Sequence, residues 1–370
     1  MEYGFLLYAM ALSKVFAYRC IEGRKLVEAA GGPEEPFRME VDRLSQLLGG
    51  KREMAEEILS PATLRWAESE LQWCEEYGIR ALYIEDPDYP RRLRECCDAP
   101  LILYCKGGLN LNPERALAVV GTRKATWSGR TACTRTVTDL AALNPAPVIV
   151  SGLAFGIDAT AHKAALEAGI PTIAVIPCGL DAIYPTAHRE LAVRIVRDGA
   201  IVTDFPRRTS PQVTQFVRRN RIIAGMSDAT LLAESYIKGG GLITTSLANA
   251  YDREVFAFPG RVTDASFAGC NAQIAANQAH LVTGAEEIGS IMGWSEPASG
   301  RRKKDPELPF PEDGETGRIL ALLKEESPLD FEQILERTGI PFRTLSALMV
   351  NLEINGTVVS LQGRKYALSH

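Results

Sequence analysis

The sequence predicts an α/β protein: a doubly wound, mostly parallel sheet, with a small helical domain before it and a winged helix after it. Two observations carry the sheet. From residue 101 to about 290, apolar strand-like runs alternate with breaker-poor helical runs, the pattern of a sheet with helices on its faces. Within that stretch, Val148 to Asp158 passes from a buried strand through a glycine turn into a helix. A third observation carries the flanks. A helical segment precedes the alternation, and three helices with a two-stranded wing follow it. The expected boundaries are 1–75 for the helical domain, 76–293 for the sheet domain, 294–314 for a linker and 315–370 for the winged helix.

Composition limits the function classes. The chain has 370 residues, 46% of them hydrophobic, enough for two or three domains with sizeable cores. No apolar run approaches the length of a membrane span, and Met1-Glu2-Tyr3-Gly4 lacks the basic start of a signal peptide. The eight cysteines are scattered and form no Cys-x-x-Cys, so the expectation is buried free thiols in a reducing cytoplasm, with no zinc. A net charge of −5 argues against a globally basic nucleic-acid binder and leaves room for a local basic patch.

In chain order, residues 1 to about 75 carry an apolar run from Phe5 to Val15. A break follows at Gly31-Gly32-Pro33. Val41, Leu44, Leu47 and Leu48 recur at helical spacing, and a helix is expected from Pro61 to Tyr77. No chemistry is visible there, and a packing or interaction module is expected. Asp86-Pro87-Asp88-Tyr89-Pro90 is turn-rich, and Leu101 to Cys105 reads as a strand. Further strands are expected at 116–120, 148–151, 171–176, 200–203, 229–233 and 254–258. Residues 294–314, rich in Pro, Gly and charge and containing Arg301-Arg302-Lys303-Lys304, read as a solvated linker. After it come helices at Ile319–Lys324, Phe331–Arg337 and Phe342–Ile354, then strands at Thr357–Leu361 and Lys365–Leu368.

Three strand–turn–helix units carry the candidate chemistry. The first turn is Gly121-Thr122-Arg123-Lys124, the second runs from Ser151-Gly152 through Phe155 to Gly156, and the third is Gly239-Gly240-Gly241 with Thr244 after it. Free N–H groups and the positive end of a helix dipole suit such turns to phosphate. Turns at the carboxyl ends of strands in one sheet could share a crevice. Gly152-x-x-x-Gly156 is not the dinucleotide fingerprint, and no G-x-x-x-x-G-K-[ST] occurs, so ordinary NAD or ATP binding is not indicated. Ser151 and Asp158 are candidate caps; Asp158 is expected to cap its helix or orient an arginine.

Arg207, Arg208, Arg218, Arg219 and Arg221 fall in one stretch without Asp or Glu, running into a helix expected from Phe216 to Met226. Arg218 and Arg221 share a helix face, and Arg219 points elsewhere. With Arg123, Lys124 and the amide of Asn220 they suit phosphate oxygens. Phe155, Tyr184, Phe205 and Phe216 flank the turns. Each is a possible base-stacking surface, with core packing the expected role for any one of them. His162 is expected to pack or cap, since no metal partner or Ser-His-Asp set accompanies it. The third helix of the last block carries Arg343 beside Glu353 and many apolar residues, weak basicity for a duplex reader, so a protein contact is at least as well supported.

These residues resemble one family. Gly121-Thr122-Arg123, Ser151-Gly152-Leu153-Ala154-Phe155-Gly156-Ile157-Asp158 with Ala161-His162, and Tyr184-Pro185 look like the DNA-processing protein A (DprA/Smf) family. So do Arg219-Asn220-Arg221-Ile222-Ile223-Ala224-Gly225, Gly241-Leu242-Ile243-Thr244 and Arg253-Glu254-Val255-Phe256-Ala257-Phe258-Pro259-Gly260. The resemblance runs in unbroken order from about residue 76 to 290. It implies an extended Rossmann fold that forms a homodimer, with a SAM-like helical domain before it and a winged helix after it. It further implies a protein that binds single-stranded DNA in natural transformation, protects the incoming strand and loads RecA recombinase, with no cofactor. The chain has Val217, Gly240, His188 and Gln273 where the family usually has Pro, Ser, Asn and Leu. An enzyme class is the alternative: nucleotide phosphoribohydrolases of similar fold carry Pro-Gly-Gly-x-Gly-Thr-x-x-Glu. Here Gly239-Gly240-Gly241-Leu242-Ile243-Thr244 is followed by no Glu between Ser246 and Asp252.

Overall fold

The computed structural model describes residues 3–295, 314–355, 357–361 and 365–368. The linker expected at 294–314, with Arg301 to Lys304, lies almost wholly outside them, as do Gly356 and the Gln362–Arg364 turn. Residues up to Ser295 form one compact unit and those from Glu296 another.

The first unit begins with helices α1 (Tyr3–Phe16), α2 (Cys20–Ala30), α3 (Val41–Leu47), α4 (Arg52–Leu59) and α5 (Pro61–Glu76). The expected glycine break is real: α2 stops at Gly31, whose left-handed φ of 90° closes the helix on Val27 O. Ser60 caps α5, accepting from Ala62 N–H ahead of Pro61. Met10, Leu12, Leu44 and Ile58 join Leu103 and Leu117 of the sheet in one continuous core, so helices and sheet are packed as a single body.

That sheet has nine strands: β1 (Arg80–Tyr83), β2 (Ile102–Lys106), β3 (Ala116–Gly121), β4 (Val148–Ser151), β5 (Thr172–Val175), β6 (Ala200–Thr203), β7 (Ala229–Glu234), β8 (Glu254–Ala257) and β9 (His280–Leu281). Their order is β1-β2-β6-β5-β4-β3-β7-β8-β9. β3 to β9 run parallel, and β1 and β2 form an antiparallel edge. The inner strands are buried, except for Gly121 at the end of β3, which is why they read as nearly unbroken aliphatic runs. Between them lie α6 (Arg91–Arg94), α7 (Trp127–Asp139), α8 (Ile157–Glu167), α9 (Arg189–Asp198), α10 (Val213–Gly225), α11 (Gly241–Ala250) and α12 (Ala268–Ala275), and α13 (Ala285–Ile291) follows β9. α7 packs on α8 and α10 on α11. The order of the parallel strands reverses between β3 and β7, and there the helices change face, opening a crevice at the carboxyl ends.

The second unit is a winged helix: α14 (Glu315–Glu325), β10 (Leu329–Asp330), α15 (Phe331–Thr338), α16 (Phe342–Ile354), β11 (Val358–Leu361) and β12 (Lys365–Leu368). Asp330 and Gln333 cap α15 reciprocally, at 2.8 and 3.0 Å, and Gly339 ends it at φ 64°. The wing has a third strand beyond the two expected from sequence, because β10 pairs with β12. No helix among the described residues is long and apolar enough to cross a membrane.

Candidate functional site

The crevice between β3 and β7 is a cleft of about 540 Å³, and all three turns reach it. Gly121, Thr122 and Arg123 come from the first, Ala154 and Asp158 from the second, Gly240, Gly241 and Thr244 from the third. The opposite wall is α10 and its lead-in, with Gln212, Phe216, Arg219 and Asn220.

Interlocking backbone holds the turns together. Ile157 N–H donates to Thr122 O at 3.2 Å, joining the second turn to the first. Gly156 sits at φ 78°, and a Cβ there would lie 2.2 Å from Thr122 O, so only glycine lets the turns approach this closely. A Cβ on Gly241 would come 2.8 Å from Leu232 of β7, which packs the third turn against the sheet. Gly240 and Gly241 N–H have no acceptor among the described residues and open α11 toward the cleft. Glu234, buried at the end of β7, braces the first turn. Its carbonyl accepts from Thr122 N–H at 2.8 Å, and its carboxylate accepts from Thr126 N–H at 2.9 Å. Thr126 in turn caps α7 through Gly129 N–H, at 3.0 Å. Glu234 is not evident from sequence, because it sits at the end of an otherwise apolar strand.

Arg219 is the innermost cation. It is 3% exposed, and its Nη1 donates to Val175 O at 3.0 Å. Its guanidinium passes over Gly152, where a Cβ would lie 1.5 Å from Nη1. Its Nε is buried without a partner. Burial pulls its pKa down to about 10, opposed by the nearby Asp158 carboxylate, so the charge persists at neutral pH. Burial raises the Asp158 pKa, while Arg219 and the Ala154 N–H, 3.4 Å away, favour its ionised form. Asp158 is not the cap of α8, whose N-cap is Gly156 with no side-chain hydrogen bond. It holds the second turn through Ala154 N–H and lies near Arg219, the other role its position in the sequence implies.

Arg123 is exposed where it lines the cleft; Lys124 beside it is exposed but is not among the lining residues. The Arg123 guanidinium lies 4.6 Å from the centre of the Phe216 ring, and Tyr184 meets that ring edge-on at 5.3 Å. Phe155 and Tyr184 are 48% and 39% exposed, so neither is core; Tyr184 lines the cleft, whereas Phe155 is not among its lining residues and packs edge-on against His188 at 4.8 Å. Of the four flanking aromatics only Phe205 is buried.

Several candidates lie elsewhere. Ser151 does not cap the second turn: its hydroxyl is buried and donates to Val119 O at 2.6 Å, tying β4 to β3. Gly152 and Gly156 serve the cleft from beneath, by the close approaches above. Arg221 is directed away from the cleft. It is buried against Asp204, donates to Asp98 O, and lies 3.6 Å from Cys20 Sγ of α2. Burial opposes its charge, but Asp204, Cys20, Asp98 and Tyr89 together outweigh that and raise its pKa. Arg218 shares that face, as its spacing implies, and stacks 4.9 Å from Tyr18 and 5.3 Å from Phe205. Arg207 is paired with Glu70 at 2.9 Å. The arginine-rich stretch therefore divides: Arg219, with Asn220, faces the cleft, and Arg207, Arg218 and Arg221 bind the scaffold.

His162 is buried. Thr172 Oγ1 donates to Ile149 O at 2.7 Å, so it accepts from His162 Nδ1–H, also at 2.7 Å. The packing role expected of this histidine is what the structure gives it. Seven of the eight cysteines are buried, and all are free. No cluster of His, Cys, Asp or Glu suited to a metal occurs among the described residues.

In the second unit α16 occupies the expected residues and exposes Phe342, Val350 and Ile354, an apolar surface with little positive charge.

The chain matches the family described as DNA recombination-mediator protein A over residues 80–293, and the DprA winged helix domain over residues 303–364. It is 35% identical over 314 residues to Protein Smf of Synechocystis, covering 76% of this chain and 78% of that one. It is 40% identical over 205 residues to DNA processing protein DprA of Streptococcus pneumoniae, covering 55% of this chain and 71% of that one. The crystal structure of the Streptococcus pneumoniae DprA superposes with a TM-score of 0.65 at 30% identity, over 78% of this chain and 98% of that one. A structure of DNA processing protein A from Helicobacter pylori, described for its single-stranded-DNA binding mode, superposes with a TM-score of 0.52 at 28% identity, over 58% and 95% of the two chains.

Proposed function

Because the chain belongs to the DNA recombination-mediator protein A family, we propose that its cleft holds the phosphodiester backbone of single-stranded DNA and that it acts by binding. The observation that carries this reading is the convergence of three glycine turns on one cleft with Arg219 inside it and Arg123 at its mouth. The N–H groups of Gly240 and Gly241 suit phosphate oxygens, as does the helix dipole behind them. Arg123 and Lys124 supply exposed charge, and Asn220 and Thr244 offer hydrogen bonds without base preference. Tyr184, Phe216 and Phe155 provide rings on which unpaired bases stack, each worth roughly 1–3 kcal/mol. A duplex hides its base faces from such rings. The Helicobacter pylori relative, described as binding single-stranded DNA, supports the same assignment here.

We propose for it the larger role that membership of the family suggests: a cytoplasmic homodimer that protects incoming strands during natural transformation and loads RecA recombinase onto them. The phosphoribohydrolase alternative lacks support, since α11 carries no acid and the carboxylates beside the cleft, Glu234 and Asp158, brace turns. Fluorescence anisotropy with labelled oligothymidylate tests the reading. Wild type binds, and Arg123→Ala with Lys124→Ala weakens binding at least tenfold; equal binding by the double variant refutes it.

A further inference from the structure

The loop from β6 to α10 and the back of α10 are gripped by the N-terminal helices. Glu70 of α5 is fully buried, its Oε2 lies 2.9 Å from Arg207 Nε, and its Oε1 accepts Arg207 N–H at 2.8 Å. Arg207 Nη2 donates to Ser69 O at 3.0 Å and to Ser69 Oγ at 2.6 Å, and the guanidinium lies 5.8 Å from the centre of the Trp73 ring. One turn of α5 therefore meets both the backbone and the side chain of Arg207. Farther along, Arg218 lies over Tyr18, between α1 and α2, and Arg221 reaches Cys20 at the start of α2. The opposite face of α10 is the cleft wall bearing Phe216, Arg219 and Asn220.

We propose that Glu70 and Tyr18 are positioning residues for single-stranded DNA: the N-terminal helices clamp α10 from behind and so aim Arg219 and Asn220 into the cleft, without touching the strand. This rests on the single-strand reading above. The grip is built for rigidity, since a half-buried arginine tied through its backbone, its guanidinium and a ring to a fully buried carboxylate has little freedom to move.

The test compares full-length wild type, Glu70→Gln, Tyr18→Ala and Arg123→Ala with labelled oligothymidylate across a salt series, with hydrogen exchange read at 211–225 and 241–250. Glu70→Gln is nearly isosteric and Tyr18 is a largely exposed ring, and a urea midpoint for each variant shows that it is folded under the conditions in which binding is read. The proposal expects a roughly tenfold weaker Kd for each clamp variant. It also expects faster exchange in α10 but not in α11, and a salt slope equal to that of wild type. Arg123→Ala, a direct contact, instead lowers the slope by roughly 0.7. Unchanged affinity in both clamp variants overturns the proposal, and so does unchanged α10 exchange. A reduced slope in either clamp variant overturns it too, because the grip would then be part of the DNA contact. Loss of binding in Arg123→Ala alone leaves the single-strand reading standing and the clamp refuted; failure of wild type to bind removes both.

Discussion

Gly152 and Arg219 share one small volume: the guanidinium of Arg219 lies where a side chain on residue 152 would begin, 1.5 Å from an added Cβ. The second glycine turn is therefore a passage for the arginine. Gly152→Ala is expected to expel the guanidinium from its bond to Val175 O. Overpacking of this kind costs about 1–3 kcal/mol, and oligothymidylate affinity should fall with it. Chemical denaturation and anisotropy on the same samples check both effects; a variant with native stability and native affinity contradicts the arrangement.

The arginines should separate by phenotype. Arg221→Leu strands Asp204 in the interior, and breaking a buried pair in this way costs about 3–5 kcal/mol. Arg123→Ala removes an exposed charge and should leave stability within about 0.5 kcal/mol while weakening DNA binding. Urea midpoints and anisotropy together read the contrast. Comparable stability losses in the two variants would refute the division of labour.

Much of this fold is legible in the sequence. Strands at 148–151 and 200–203 fall where expected, because a parallel strand buried on both faces has to be an aliphatic run. β1 and β9 are not legible. Arg80-Ala81-Leu82-Tyr83 is short and half polar, and β9 is two exposed residues whose pairing comes from β8. The first turn of α10 escapes the sequence pattern because its start is polar: Gln212 N–H is capped by Gln215 Oε1 at 2.7 Å, a signal hidden among ordinary loop residues. The glycine turns of the site are legible from their strand–turn–helix setting. The fate of each arginine is not, because it is decided by distant partners. Glu70 lies 137 residues from Arg207, and Cys20 lies 201 from Arg221. Spacing puts Arg218 and Arg221 on one face of a helix but cannot say which face meets the N-terminal helices.

Acid should weaken the fold through His162. Burial, helped by the charges of Arg219 and His188, lowers its pKa to about 3 from 6.5. The folded state keeps the ring neutral, whereas the unfolded chain takes up a proton below 6.5. The contribution is therefore fully present above that pH and is lost as pH falls from 6.5 toward 3. Between pH 7 and pH 5 the loss is about 2 kcal/mol. His162→Gln, which cannot protonate, should show a flatter stability profile over that range by urea titration at the two pH values. Parallel profiles would contradict the assignment.

The winged helix should be dispensable for gripping a single strand. Residues up to Ser295 are a compact unit that contains the whole cleft, and α16 presents apolar side chains with little positive charge. A chain ending at Ser295 should bind oligothymidylate with the affinity of the full protein in the same buffer. A tenfold loss would show that the second unit contributes to the grip.

We propose that the convergent turns and Arg123 hold an unpaired DNA backbone. This is tested most directly by measuring affinity for matched single-stranded and duplex oligonucleotides at two salt concentrations, with wild type and the Arg123→Ala/Lys124→Ala variant. The expected result is tight, salt-sensitive binding of the single strand and much weaker binding of the duplex. The slope for the variant is expected to be reduced by roughly 0.7 for each phosphate that is no longer neutralised. Equal affinity for the two DNA forms, or a variant with wild-type affinity and slope, would contradict it.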